Sequence, residues 1–216
     1  MPVDRLRRTV PGMSLYRDRV LPHAVNVAMA NKLLRPLRQR VAEGLAGEVV
    51  EIGFGTGHNL PYLPKGVTRL LAVEPSRLSV RLAGERIRQA PFPVQVVGLD
   101  GESIPLPDDS ADAVLCTWAL CTIPHPEQAL REMARVLKPG GELHFVEHGR
   151  APDEGVLRWQ HRLTPVQKRL AGGCHLDRDI PALLQRGGFG VTELEHLYIE
   201  GEPRLVGSTY VGKAVA

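Results

Sequence analysis

The chain has 216 residues, 43% of them hydrophobic, and a formal charge of +3, which is enough apolar material for one sizeable core and too balanced for an acidic or basic tail protein. Three cysteines without paired metal-ligand spacing argue against a disulfide framework and against a zinc site, so no metal is expected. No apolar run approaches the roughly 18 residues of a membrane span, and no signal-peptide pattern opens the chain, which makes a soluble cytoplasmic protein the expectation.

In chain order, Met1 to Val10 is basic, and Pro11-Gly12 separates it from the helical segment beyond. Residues 1 to 40 carry nine Lys or Arg against Asp4 and Asp18. A solvated basic face accounts for that asymmetry, and contact with an anionic surface, a membrane peripherally or nucleic acid, is the alternative. From Ser14 to about Leu45, apolar positions such as Leu15, Val20, Leu33, Leu34, Leu37 and Val41 predict helical pieces interrupted at Pro22 and Pro36. This gives an N-terminal helical cap over residues 1–45 ahead of a main domain over 46–216.

Val49-Val50-Glu51-Ile52-Gly53-Phe54-Gly55-Thr56-Gly57 is an apolar strand that ends in an acid and breaks into glycine at every second position. Glycine suits the turn because it reaches positive φ cheaply and lets a ligand approach the backbone. A plain strand-to-helix turn gives the same local pattern. The dinucleotide fingerprint G-x-G-x-x-G fails, because its third glycine position is His58. What fits is E-x-G-x-G-x-G, and the stretch resembles the first motif of class I S-adenosylmethionine (SAM) methyltransferases. That resemblance makes Glu51, Gly53, Gly55 and Gly57 cofactor-binding candidates.

His58 to Leu63 is predicted to open the first helix of the main domain. Leu70 to Val73 is a second buried strand, closed by Glu74-Pro75-Ser76. An acid ending the second strand of a doubly wound sheet meets the ribose diol of a bound nucleoside, and Glu74 stands 23 residues beyond Glu51. Pro75 lies beside it. Ser76 to Gln89 is predicted as one long helix burying Leu78, Leu82 and Ile87, with strand three next at Val94–Val97. Asp100-Gly101-Glu102 through Val114 resembles the family stretch G-D-A-E-x-L-P-F-P-D-x-S-F-D-x-V. That likeness implies that Asp100 accepts from the adenine amino group, with Gly101 and Glu102 adding backbone contacts.

Strand four, Ala113 to Cys116, delivers Thr117, Trp118 and Leu120 to the ligand edge of the sheet. Pro126 to Leu137 is an amphipathic helix stopped by Lys138-Pro139-Gly140-Gly141, and strand five is Glu142–His148. Glu147-His148, Trp159-Gln160, Gly173-Cys174-His175-Leu176-Asp177-Arg178 and Tyr210 to Ala214 resemble segments of the membrane-associated alkyl-thiol S-methyltransferases and their bacterial relatives. The likeness departs at the N terminus, where a basic helical segment replaces the hydrophobic anchor of the mammalian proteins. The ubiquinone/menaquinone C-methyltransferases share the cofactor motifs and match the last third less well.

The resemblance implies a doubly wound, seven-stranded Rossmann-like α/β sheet. Its last strands, Val191–Tyr198 and about Ser208–Val215, would form an antiparallel pair, because Gly201-Glu202-Pro203 leaves no room for a crossover helix. It also implies methyl transfer from SAM to a small-molecule acceptor, best a hydrophobic thiol. O-, N- or C-methylation of a phenol, quinol or lipid amine, and SAM binding without catalysis, are the alternatives. His148 and Arg178 are the catalytic candidates, with a hydrogen-bonded structural histidine the competing reading of His148. Tyr16, Trp118, Trp159 and Cys174 are the substrate-side candidates, with His23 and Asn26 beside Tyr16. Asp177 is read either with His175 or as the N-cap of a helix over Ile180–Arg186. No nucleic-acid partner is expected, since no base-holding motif or RNA-binding module is present.

Overall fold

The computed structural model describes residues 15–98 and 100–216. The basic Met1–Val10 stretch and the Pro11-Gly12 break lie outside the described residues. Seven strands form one sheet: β1 (Gly47–Ile52), β2 (Val67–Val73), β3 (Val94–Gly98), β4 (Ala111–Thr117), β5 (Leu137–His148), β6 (Gly190–Tyr198) and β7 (Ser208–Val215). They lie in the order β3-β2-β1-β4-β5-β7-β6. The pairings from β3 to β5 are parallel, and β7 runs antiparallel to both β5 and β6. The antiparallel closing hairpin follows from its short link, which holds only a single turn, Arg204–Gly207.

Strand order reverses between β1 and β4, so the chains leaving these neighbours part company and open a crevice at their carboxyl ends. On one face Val50, Ile52, Val114 and Phe145 pack beneath Leu130 and Met133 of α5 (Pro126–Val136) and Ile180, Leu183 and Leu184 of α7 (Ile180–Arg186). On the other face Val49, Leu70, Leu115 and Val146 pack beneath Leu37, Val41 and Ala42 of α2 (Arg35–Ala42). The period-2 alternation of β1 therefore sends Glu51 toward the α2 side.

The N-terminal segment is not interrupted at its prolines: a π-helical turn over Tyr16–Val20 runs directly into α1 (Leu21–Met29) at Pro22, a 3₁₀ turn over Lys32–Leu34 runs directly into α2 at Pro36, and the break falls between them at Ala30-Asn31. Several boundaries differ from expectation. No helix succeeds the glycine turn: Leu60–Tyr62 is one 3₁₀ turn, after which Leu63 is extended, because Pro64 disfavours helix in the residue before it. The long helix over 76–89 is two, α3 (Arg77–Leu82) and α4 (Gly84–Gln89), parted at the weak helix former Gly84. Its buried residues are Ser79 and Ala83, while Leu78, Leu82 and Ile87 are half-buried. Strand five begins at Leu137, before the glycine pair, with a register shift between its Ala111 and Ala113 pairings. The segment between β5 and β6 carries α6 (Glu154–Leu170) as well as α7. Among the described residues, no helix is long and apolar enough to cross a membrane.

Candidate active site

Two loops frame the crevice. The first is the turn after β1, where Gly53, Gly55 and Gly57 all have positive φ, at 71°, 57° and 74°. A Cβ on Gly53 would stand 2.5 Å from the Cβ of Ala119, so glycine here lets the turn touch the loop after β4. Glu74, 6% exposed at the end of β2, holds the turn: Oε2 accepts from the Gly55 N–H at 2.7 Å and Oε1 from the Ser76 N–H at 2.8 Å. Burial raises its pKa against those two bonds.

Beneath the turn lies a buried polar network. Asn59 Nδ2 donates to Glu51 Oε1 at 2.7 Å and to Thr117 Oγ1 at 2.9 Å, and Asn59 Oδ1 accepts from Arg38 Nη1. Glu51 Oε2 has no partner. Burial pushes the Glu51 carboxyl up to about 7 and the Arg38 guanidinium down to about 10. For both, desolvation outweighs their mutual attraction, and Arg38 keeps its charge at neutral pH.

The second loop leaves β4 at Trp118, a non-glycine residue at φ 51°. That conformation is uncommon and clusters at functional sites. It is fixed by the Trp118 N–H bond to Val146 O at 2.7 Å and by the Arg38 guanidinium, 4.8 Å from the ring centroid. Trp118 Nε1 is buried without a partner. Glu147, fully buried on β5, accepts from three successive N–H groups of this loop, Ala119 at 2.8 Å, Leu120 at 2.9 Å and Cys121 at 3.1 Å. Arg178 completes the clamp, donating to Leu120 O and, at 2.8 Å, to Ile123 O.

The remaining candidates divide. His148 lies edge-on to Trp118 with ring centroids 6.4 Å apart, and one of its ring nitrogens lies within 4.8 Å of the Cys121 and Cys174 sulfurs. Asp100 is exposed, with Oδ1 accepting from the Glu102 N–H at 2.8 Å. Gly101 lies against Ile52 and Ile123, and the Glu102 carboxylate accepts from the His125 N–H. Pro75 is exposed beside Glu74.

Tyr16 donates to Leu170 O at 2.7 Å, docking the N-terminal segment on the end of α6. His23 is exposed, whereas Asn26 bonds His58 after the glycine turn at 3.1 Å. Trp159 is 56% exposed under Arg162, and its neighbour Gln160 is the buried one, bonded to Ala151, Gly149 and Leu205. The helix cap of α7 is Asp179, while Asp177 bonds His161 and Thr164. A further cleft of about 440 Å³ between α5 and α7 is lined by His125, Arg178 and Asp179 among these residues.

Sequence reading missed Arg38, Asn59 and Glu147 as parts of the site. Arg38 had a signal, because it falls four residues after Leu34 and three before Val41, on the apolar stripe of its helix.

A family model described as a methyltransferase domain matches residues 50–145. Thiol S-methyltransferase TMT1B of Rattus norvegicus is 34% identical over 181 residues, 80% of this chain and 73% of that protein. Thiol S-methyltransferase TMT1A of Homo sapiens is 33% identical over 172 residues, 77% of this chain and 70% of that protein. A SAM-dependent methyltransferase structure from Thermotoga maritima, 21% identical, superposes with a TM-score of 0.66 over 94% of this chain and 99% of its own, which speaks for the fold. The identity spread across most of both chains, on a reversed-order sheet with an acid-closed glycine turn, shows that this enzyme belongs to the SAM-dependent methyltransferases and takes its methyl group from S-adenosylmethionine.

Proposed function

We propose that SAM lies across the β1–β4 crevice and that the acceptor is a small apolar thiol brought in from the Trp118 and His148 side. The observation that carries the first half is the pair of buried, unpartnered polar atoms, Glu51 Oε2 and Trp118 Nε1, on the two loops that frame the crevice. A buried polar atom without a partner costs about 1–3 kcal/mol, and a ligand that bonds it recovers that cost. The residues fit a cationic amino-acid nucleoside. Glu51 faces its ammonium, and the Gly53–Gly57 turn offers backbone with no side chain in the way. Glu74 keeps free lone pairs for a diol, and Asp100 with Gly101 and Glu102 borders the base. Pro75 and Thr117 flank this track.

Bound there, SAM would supply a sulfonium-activated methyl carbon, and its transfer to a thiolate would release S-adenosylhomocysteine and leave a neutral thioether. The protein's task is to align the two sulfurs and exclude water. A thiol with pKa near 8.5 is partly ionised at neutral pH, so the acceptor end needs no catalytic triad. The cap supports this arrangement: Tyr16 binds the end of α6, Asn26 the glycine turn and Asn31 the Glu202 carboxylate, so one segment bridges both sides of the crevice. His148 is the polar group at the acceptor end. Arg178, with donors committed to Leu120 O and Ile123 O, positions the loop that carries Trp118. The similarity to thiol S-methyltransferases over four-fifths of the chain supports sulfur as the accepting atom.

Transfer of labelled methyl from SAM across alkyl thiols, phenols, quinols and amines tests the reading. Alkyl thiols are the expected acceptors, and labelling confined to phenols or amines would overturn it.

A further inference from the structure

Cys121, His148 and Cys174 come from three separate elements, the loop after β4, the end of β5 and the turn after α6, yet meet at one point. Cys121 Sγ and Cys174 Sγ are 3.7 Å apart, and a ring nitrogen of His148 lies within 4.8 Å of both. Two thiolates each about 2.3 Å from a tetrahedral zinc ion stand about 3.8 Å apart, so the sulfurs already hold the spacing of a shared metal.

The surrounding chain fixes that spacing. The Cys121 N–H is held by Glu147 and its carbonyl by the His175 N–H at 2.8 Å, so its backbone is bonded on both sides. Gly173, at φ 110°, adopts backbone that L side chains rarely take, and a Cβ there would press on Thr122 O at 3.1 Å, so glycine lets the Cys174 turn lie close against the Cys121 segment. Both cysteines are buried, at 1% and 7% exposure, whereas His148 is only half-buried. The cluster is thus closed by protein on the sulfur side and half-exposed at His148, the side from which the proposed acceptor enters.

We propose that Cys121, Cys174 and His148 bind zinc, leaving a fourth position that takes the sulfur of the acceptor thiol. Three protein ligands with one open position is the arrangement of catalytic rather than structural zinc. Two thiolates cancel the charge of the dication, and Arg178, which lies close enough to act on both sulfurs, offsets the further negative charge of an entering thiolate against the buried Glu147. As the acceptor binds, its sulfur–metal bond replaces a metal-bound water and its S–H proton passes to bulk water. The methylated product, a neutral thioether, is a poorer zinc ligand and leaves. The fourth-ligand assignment rests on the proposed thiol acceptor, and the metal site does not.

The test uses the full-length protein, purified with reductant and without chelator. Zinc should be present at about one ion per chain and be lost from Cys121→Ser and Cys174→Ser. Cobalt(II) exchanged into the wild-type protein should show thiolate-to-metal charge-transfer absorption and the strong visible bands of four-coordinate cobalt. An alkyl thiol added without SAM should shift those visible bands, and the alcohol of the same shape should not. Absence of both zinc and the charge-transfer bands in reduced wild-type protein would overturn the metal site and leave a thiol pair packed against a histidine. Bound cobalt that ignores the thiol would overturn the open position. A cobalt spectrum that responds to thiols in an enzyme methylating only phenols or amines would support the metal site while removing the thiol reading of its function.

Discussion

Two glutamates reach the carboxyl edge of the sheet, Glu51 on β1 and Glu147 on β5, and both are almost wholly buried, at 1% and 0% exposure. Burial raises the carboxyl pKa of each. Their bonding differs. Glu147 has three backbone N–H donors and the Cys116 thiol, so both oxygens are satisfied within the chain. Glu51 has one donor, Asn59, and an oxygen with none. The same side chain at the same edge thus serves architecture where its bonds are complete and points to a ligand where they are not.

Glu147→Ala should have the largest effect. It strands three buried N–H groups at about 1–3 kcal/mol each, so chemical denaturation should show a loss of more than about 3 kcal/mol. A loss below about 1 kcal/mol would mean that the loop does not depend on this carboxylate, and the contrast with Glu51 would fail.

Glu51 should instead reveal itself through pH. Its folded-state value of about 7 lies above the ordinary 4.5, so the folded protein holds this proton more tightly than the unfolded chain. Stability contributed by the neutral carboxyl is fully present below 4.5 and is lost as pH rises through about 7, a change on the order of 3 kcal/mol. In ligand-free protein, Glu51→Gln should flatten the fall in stability between these values while keeping an oxygen for Asn59. A variant whose profile parallels the wild type would assign the pH dependence to other groups.

Glu74 tests the donor end directly. Glu74→Ala should weaken SAM binding by about 1–3 kcal/mol in calorimetric titration, roughly 5- to 150-fold. It also frees the Gly55 and Ser76 N–H groups, so Glu74→Gln, which keeps one acceptor, should fall between the alanine variant and wild type. Equal affinities would remove Glu74 from the cofactor track. NADH should show no comparable binding.

The glycine turn and the acids that close β1 and β2 were legible because their signals are local. Glycine spacing, an acid closing β1 and another closing β2 are written within a few residues of the turns they make. The antiparallel β7 was equally plain, since a short link admits no crossover. The bonds that build the rest join residues far apart: Arg38 to Asn59 across 21 positions, Glu147 to Ala119 across 28 and Arg178 to Leu120 across 58. Asn59, two residues beyond Gly57, looked like the start of a helix. Its amide is instead drawn inward by Glu51 and Thr117, and Pro64 ends the short turn at Leu60–Tyr62. The cysteines showed no metal spacing because their partners come from three elements, and spacing reports only ligands that share one.

Trp159 carries the smallest expected effect and separates likeness in sequence from position in space. The pair Trp159-Gln160 matches the thiol S-methyltransferase pattern, which makes an aromatic ring an attractive wall for an apolar acceptor. In the folded chain the pair splits its duties, with Gln160 buried and bonded to three backbone groups while Trp159 is 56% exposed on the outer face of α6. Gln160→Ala should therefore cost on the order of 2 kcal/mol of stability, as an amide whose partners are left buried. Trp159→Ala should change stability by less than about 0.5 kcal/mol and leave SAM affinity and methyl transfer within about twofold of wild type. Steady-state rates with an accepted alkyl thiol, measured at saturating SAM, make the comparison. A Trp159→Ala enzyme that binds SAM normally but loses most of its transfer would show that α6 turns this ring into the acceptor crevice during the reaction, and the acceptor end would then have a moving wall where the donor end has a fixed one.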